Sequence, residues 1–187
     1  MILEITLYGN PILRQQGERI PSVTPEIKQL ANDMLETMYE AAGIGLAAQQ
    51  IGKALQLAVI DIPEEIETPS RMWIDGKPVD KADYMPMVLI NPELKTIKKK
   101  DSAEEGCLSF PGINAEITRP SRVACNCLNI EGQELKFEAD GLLGRAVQHE
   151  VDHLNGVLFT DHMIPEEKRA LREGIEEVRA QGLLQNS

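Results

Sequence analysis

Positive charge is what this chain of 187 residues is short of: 19 lysines and arginines face 30 aspartates and glutamates, a net charge of −11. A protein that tracks nucleic-acid phosphates needs a basic surface, so direct DNA binding is not expected. Cysteine is scarce too. Three residues, an odd number, do not suggest a disulfide scaffold, and metal ligation or plain burial explains them better. No apolar run is long enough to cross a bilayer. The start, Met1 to Leu7, lacks the basic region and long apolar stretch of a signal peptide, and it is not an Arg- and Ser-rich transit segment. The expectation is a cytoplasmic protein with no membrane partner. Internal repeats and low-complexity segments are missing as well. Histidine occurs only three times, and two of these are His149 and His153.

What is present is ordinary for a globular protein, with 42% hydrophobic and 26% charged residues. The length suits one domain over residues 1–187 with a real core. Residues 9–25, with Gly9, Pro11, Gly17 and Pro21, read as an irregular arm. Thr24-Pro25-Glu26 then looks like a cap, a first-turn proline and an acidic first turn. Ile27, Leu30, Met34, Leu35 and Met38 follow at helical spacing, and the helix should reach about Ala42, where Gly43 stops it.

Gln56 to Ile62 reads as a buried strand. The connection 63–86 is acidic and proline-bearing; Glu64-Glu65-Ile66-Glu67 reads as a solvated face, and Asp75-Gly76 as a hairpin turn beside Trp73, the only tryptophan. Strand signals recur at Met87–Asn91, Cys107–Phe110, Ile113–Arg119, Val123–Ile130 and Leu135–Glu138. A helix is expected from Leu142 to about Asn155, with Asp140 as cap and Gly156 as stop. Another should run from Pro165 to about Gln181, followed by a tail, 182–187. This order implies an α+β fold: mostly antiparallel sheets packed around a central helix, with a helix at the C-terminus.

The central helix carries Gln148-His149-Glu150-Val151-Asp152-His153. Side chains four apart share a helix face, so both imidazoles can grip one ion, and Glu150 can handle a proton on water held there. Leu142, Ala146 and Val147 would seat the helix in a core. The plain alternative is a pair of histidines on an amphipathic helix with no ion. Asp152 points off the ligand face, with a supporting role favoured over ligation. Arg119 could pair with Asp152 or with Glu105, as an orienting contact or an ordinary ion pair.

A catalytic ion usually takes three protein ligands and a water. Cys107, beside Gly106 and at the start of a strand signal, is the best third candidate. Cys125 and Cys127 alternate along a strand, share one face and read as core. His162 is a weaker candidate.

Together these residues resemble the peptide deformylase family. Its three short motifs stand in order as Gly43-Ile44-Gly45-Leu46-Ala47-Ala48-Gln49-Gln50, Glu105-Gly106-Cys107-Leu108-Ser109 and Gln148-His149-Glu150-Val151-Asp152-His153. Asn10-Pro11-Ile12-Leu13-Arg14 is similar to the family's usual start, and the likeness spans roughly residues 5–165. The resemblance implies hydrolysis of the formyl group from N-formylmethionyl nascent peptides, releasing formate. It implies a divalent ion, natively ferrous iron and often zinc after aerobic purification, on Cys107, His149 and His153, with water as nucleophile and Glu150 as base and then acid. It places the Leu108 backbone N–H and the Gln50 side chain at the oxyanion, with Gln49 outward-facing or structural. Gly43 and Gly45 would let an extended peptide pair with the backbone. Ile44, Gly106, Leu142, Arg145 and Ala146 would line the methionine pocket, the Arg145 stem packing while its head reaches water.

Two other classes of protein could carry the same His-Glu-x-x-His pattern. One is a peptidase that cuts internal bonds and shares only His-Glu-x-x-His; the other is a non-catalytic binder of formylated or extended peptides. Against the family's shorter bacterial members, the 63–86 connection is long, and its Trp73 hairpin could reach the site's rim. Some members dock on the ribosome through a basic C-terminal helix. Here Lys168, Arg169, Arg172 and Arg179 are outnumbered by Glu166, Glu167, Glu173, Glu176 and Glu177, so ribosome contact should be weak. A monomer is the favoured state.

Overall fold

The computed structural model describes residues 1–66, 68–97 and 99–185. Thr24 opens the first helix, α1 (Pro25–Glu40), by accepting from the Ile27 amide, and Pro25 and Glu26 occupy its first turn. Ala31, Met34 and Met38 recur on its buried face and pack with Leu46, Leu57 and Val59. The helix stops at Glu40, and the left-handed turn that closes it is made by Ala42 rather than by the glycine. Ala42 takes a left-handed φ of 53°, and the Gly43 amide then donates to the Met38 carbonyl at 2.9 Å.

The strands are β1 (Gly45–Ala47), β2 (Leu57–Ile60), β3 (Met72–Ile74), β4 (Lys77–Val79), β5 (Met87–Thr96), β6 (Lys100–Gly106), β7 (Asn114–Pro120), β8 (Arg122–Leu128) and β9 (Glu134–Asp140). They form a seven-stranded sheet in the order β1-β2-β5-β8-β9-β3-β4 and a separate pair, β6-β7. The named strands pair antiparallel throughout. In β8, Val123, Cys125 and Cys127 all point into the core, as their alternation predicts.

Against that core lies α2 (Gly141–Leu154), which brings Leu143, Ala146 and Val147 into contact with a cluster containing Leu89, Val123 and Phe137. Antiparallel sheets around this helix are the expected α+β arrangement. The helix start differs from expectation. Asp140 occupies the cap position, but its carboxylate accepts from Arg71 instead, at 2.9 Å from Nε and 2.5 Å from the terminal nitrogen. The cap is supplied from outside: the Leu142 amide donates to the Pro69 carbonyl at 3.1 Å and the Leu143 amide to Ser70 Oγ at 2.6 Å. Part of the long connection thus serves to seat α2.

The Asp75-Gly76 hairpin forms as expected, both residues having positive φ (50° and 72°). It does not reach the rim of the motif helix. Trp73 lies under the Arg122 guanidinium, 3.9 Å from its ring centroid, and faces a groove with Lys95, Asn126 and Lys136.

The last helix is two: α3 (Pro165–Ala170) and α4 (Arg172–Gln185), broken at Leu171. Residues 182–185 of the expected tail are helical, and the Leu7 amide donates to the Gln185 side chain at 2.8 Å. Ile175 and Val178 join Leu13, Phe110 and Phe159 in a second core cluster. Glu67 of the acidic run, and Asn186 and Ser187 of the tail, lie outside the described residues. Among the described residues, no helix is long and apolar enough to cross a membrane.

Gly141 has φ 57°, and a Cβ there would fall on the Pro69 carbonyl oxygen; Gly76 has φ 72° but open space around it. Gly76→Ala should therefore cost only the left-handed strain of about 1–2 kcal/mol. Gly141→Ala should cost more than that in urea denaturation, because backbone must also move. Equal losses would show that the Pro69 contact does not hold the helix start.

Candidate metal centre

Position four apart on α2 turns His149 and His153 to one side, their ring centroids 5.0 Å apart. Cys107 comes from the other sheet. The expected strand Cys107–Phe110 is instead a turn just past β6, closed by the Phe110 amide donating to the Cys107 carbonyl at 2.9 Å. Half-buried Leu108 and buried Ser109 and Phe110 in that turn mimic a strand's apolar signal. Cys107 Sγ lies 3.3 Å from His153 Nε2, and one ligand atom from each of Cys107, His149 and His153 falls within 4.8 Å of the others. His162 is not among them; its Nε2 lies 2.8 Å from Asp152. Cys125 and Cys127 are buried in the core.

The orientation of His149 is held from behind. Its Nδ1 lies 3.1 Å from a Glu105 oxygen, which leaves Nε2 for an ion. Glu105 also accepts from Arg119 at 2.6 Å and 3.0 Å and from Arg145 at 2.9 Å. Arg119 donates as well to Asp152 at 2.7 Å, so it makes both of the pairs the sequence left open.

Two imidazoles and a sulfur form a soft donor set that suits zinc or ferrous iron. Next to it, Glu150 Oε2 is buried without a partner, a polar atom aimed where water or substrate would sit. A Cβ on Gly45 would collide with the other Glu150 oxygen, so any larger residue there would have to push the carboxylate aside. The residues fit a divalent metal with an open position beside a carboxylate.

The charges are strongly shifted. Burial pushes the Glu150 carboxyl up to about 7, although the charges of His149 and Arg119 pull the other way. Burial would also raise Glu105, but the hydrogen bond from His149 and the Arg119 guanidinium overcome it and hold Glu105 at about 2. For His149, burial is outweighed by Cys107 and Glu105, which raise it well above its ordinary value. Burial and the neighbouring His149 charge push His153 well below. An arriving cation must displace the His149 proton, so metal uptake should weaken as pH falls.

The centre opens on a cavity of about 400 Å³. Gly43, Ile44, Gly45, Gln50, Gly106, Cys107, Leu108, Leu142, Arg145, Ala146, His149 and Glu150 line it, while His153 is buried beneath. One side is β1, an edge strand paired only with β2. Gln50 Oε1 accepts from the Ala47 amide at 2.9 Å, which turns its Nε2 toward Ser109 Oγ (3.1 Å) and Cys107 Sγ (3.6 Å). Gln49 is structural and not outward-facing: it is buried and donates to the Gln15 and Leu154 carbonyls. The Arg145 head does not escape to water. It is buried and donates to Glu105, the Ile117 carbonyl and Asp101.

Nothing in the sequence singles out Asp101, which stands in a charged stretch without visible period. Ser109 belongs to the Glu105–Ser109 motif, and its position two residues past Cys107 is the signal that marks it.

Two histidines, one cysteine and a buried carboxylate beside them, set in an α+β fold, are the side chains a metal-dependent hydrolase uses. A sequence model described as polypeptide deformylase matches residues 2–169. A peptide deformylase from Methylacidiphilum infernorum is 46% identical, over 96% of this chain and 94% of its own length. One from Acinetobacter baumannii is 42% identical, over 95% and 92%. Among solved structures, a peptide deformylase from Ehrlichia chaffeensis in complex with actinonin is similar with a TM-score of 0.81 at 34% identity, over 96% of this chain and 97% of that one. The chain belongs to the polypeptide deformylase family.

Glu105 gives a pH prediction. Its folded value of about 2 lies below the ordinary 4.5, so its contribution is present above 4.5 and lost as pH falls through 2. Glu105→Gln in chelator-treated protein should flatten the acid limb of stability between those values and remove roughly 3 kcal/mol at neutral pH. An unchanged acid limb would show that this carboxylate is not held by its partners.

Proposed function

We propose that this chain removes the formyl group from the N-formylmethionine of newly made polypeptides. The observation that carries the reading is the unpartnered, buried Glu150 oxygen beside the Cys107, His149 and His153 donors, at the end of an open strand edge. The family acts on N-formylmethionyl peptides, and three of its motifs converge on this one cavity.

Cys107, His149 and His153 would hold the ion, ferrous iron natively or zinc, which supplies Lewis-acid activation of water and of the formyl oxygen. Glu150 takes the proton of the attacking water as its oxygen bonds to the formyl carbon. When the carbon–nitrogen bond breaks, Glu150 passes that proton to the leaving amine, and the formic acid formed gives its remaining proton to the amine or to solvent and leaves as formate. A carboxyl pushed up to about 7 is suited to both transfers near neutral pH. The Leu108 N–H and Gln50 Nε2 would donate to the oxygen that gains charge, each worth ~3 kcal/mol. Because Ala47 holds Gln50 Oε1, the amide presents its donor and not its acceptor.

The substrate backbone would pair with the free edge at Gly43 to Gly45. Its methionine side chain would lie among Ile44, Gly106, Leu142, Ala146 and the Arg145 stem. We place the reaction in the cytoplasm and the chain as a monomer. Arg169 and Arg179 pair with Glu166 and Glu176, and Lys168 and Arg172 stand among Glu167, Glu173 and Glu177, so the helix pair is acidic on balance and ribosome contact would be weak.

Formate release from formyl-Met-Ala-Ser tests the reading. Glu150→Ala should keep its metal and lose about 10²–10⁴-fold in rate. Gln50→Ala should lose about 10²–10³-fold in kcat. Undiminished turnover by the Glu150 variant would sink the mechanism, and casein cleavage without formate would point to a peptidase instead.

A further inference from the structure

The three donors come from two separate bodies. Cys107 follows β6 in the small sheet, while His149 and His153 ride on α2 beside the large one. Their mutual geometry therefore depends on whatever fixes the small sheet against α2. Arg119 on β7 donates to Asp152 and Gln148 on α2 donates to the Pro120 carbonyl, which pins the far end of β7. We propose that Arg145 is the positioning residue at the end nearer Cys107, where it clasps both strands of the small sheet to the helix; the inference rests on the metal-centre reading above.

Arg145 sits one turn before His149 on α2. One guanidinium nitrogen donates to Glu105 at 2.9 Å and to the Ile117 carbonyl at 2.8 Å, so a single atom ties β6 to β7. The other donates to the Asp101 carboxylate at 2.7 Å, four residues further back on β6. Planar, forked donors match this spread of acceptors, and the single ammonium of lysine would not. The Glu105 oxygen that Arg145 holds belongs to the carboxylate whose other oxygen faces His149 Nδ1. Arg145 thus acts on the centre twice, through the angle of the His149 ring and through the placement of the strand that ends at Cys107.

The two ends of the clasp differ in exposure. The Arg145 and Glu105 side chains are 9% and 6% exposed, whereas Asp101 is 54% exposed. The inner contact should therefore matter more, and the outer one can be removed without opening the core.

Cobalt-loaded protein tests this without relying on turnover. Arg145→Met should weaken cobalt affinity about tenfold in chelator competition, as loss of orienting partners typically does, and should shift the cobalt absorption bands. Arg145→Lys should fall between Arg145→Met and the parent, and Asp101→Asn should show a smaller shift in the same direction. With formyl-Met-Ala-Ser, the Arg145→Met loss should fall on kcat more than on KM. A folded Arg145→Met protein with parental affinity and spectrum would overturn the proposal. If Arg145→Met does not fold, Asp101→Asn decides, and parental behaviour of that variant overturns it. A parent protein that takes up no cobalt would instead undo the metal-centre reading itself.

Discussion

The Glu105 carboxylate is the contact on which the rest of the centre depends. It is buried and meets two guanidinium groups and one imidazole, so its charge is matched from three directions. Against an apolar contact of the same volume such a cluster gives little extra stability, because desolvation offsets the attraction, although removing one member alone is costly because it leaves the others unmatched. What it gives is geometry. A buried charge tolerates no sliding, since any displacement leaves a carboxylate or a guanidinium unmatched. A purely apolar contact between α2 and the small sheet would allow small shifts in register. This one fixes the sulfur of Cys107 relative to two imidazoles.

Much of that was legible from residue types and spacing. The His149–His153 pair, the cysteine beside Gly106, the helix starting at Thr24 and the inward alternation of Val123, Cys125 and Cys127 all carry periods or caps that survive folding. The α+β order followed from the same signals. The misses share a cause as well. Strand β6 reads Lys-Asp-Ser-Ala-Glu-Glu-Gly, and six of its seven residues are exposed, so no alternation betrays it. Asp140 looks like a cap because capping is local in sequence, whereas here Ser70 reaches α2 from another part of the chain. Arg145 looked like a snorkelling side chain because nothing nearby in sequence shows that Asp101 and Ile117 will surround it. Local chemistry is visible in a sequence; acceptors brought from forty residues away are not.

The proposed reaction ties the softness of the donor set to the burial of Glu150. A thiolate gives an ion more charge than a carboxylate would, so the ion should be a weaker Lewis acid and the neighbouring base must do more. Burial lifts Glu150 to about 7, where it can both accept and return a proton near neutral pH. That burial has a steric condition. Strand β1 closes over the carboxylate, and a side chain at Gly45 would strike it. The glycine that brings the open strand edge close to the cavity is also the one that leaves room for the base beneath it. Substrate pairing and base strength are therefore set by the same backbone approach, and a change at Gly45 cannot alter one without the other.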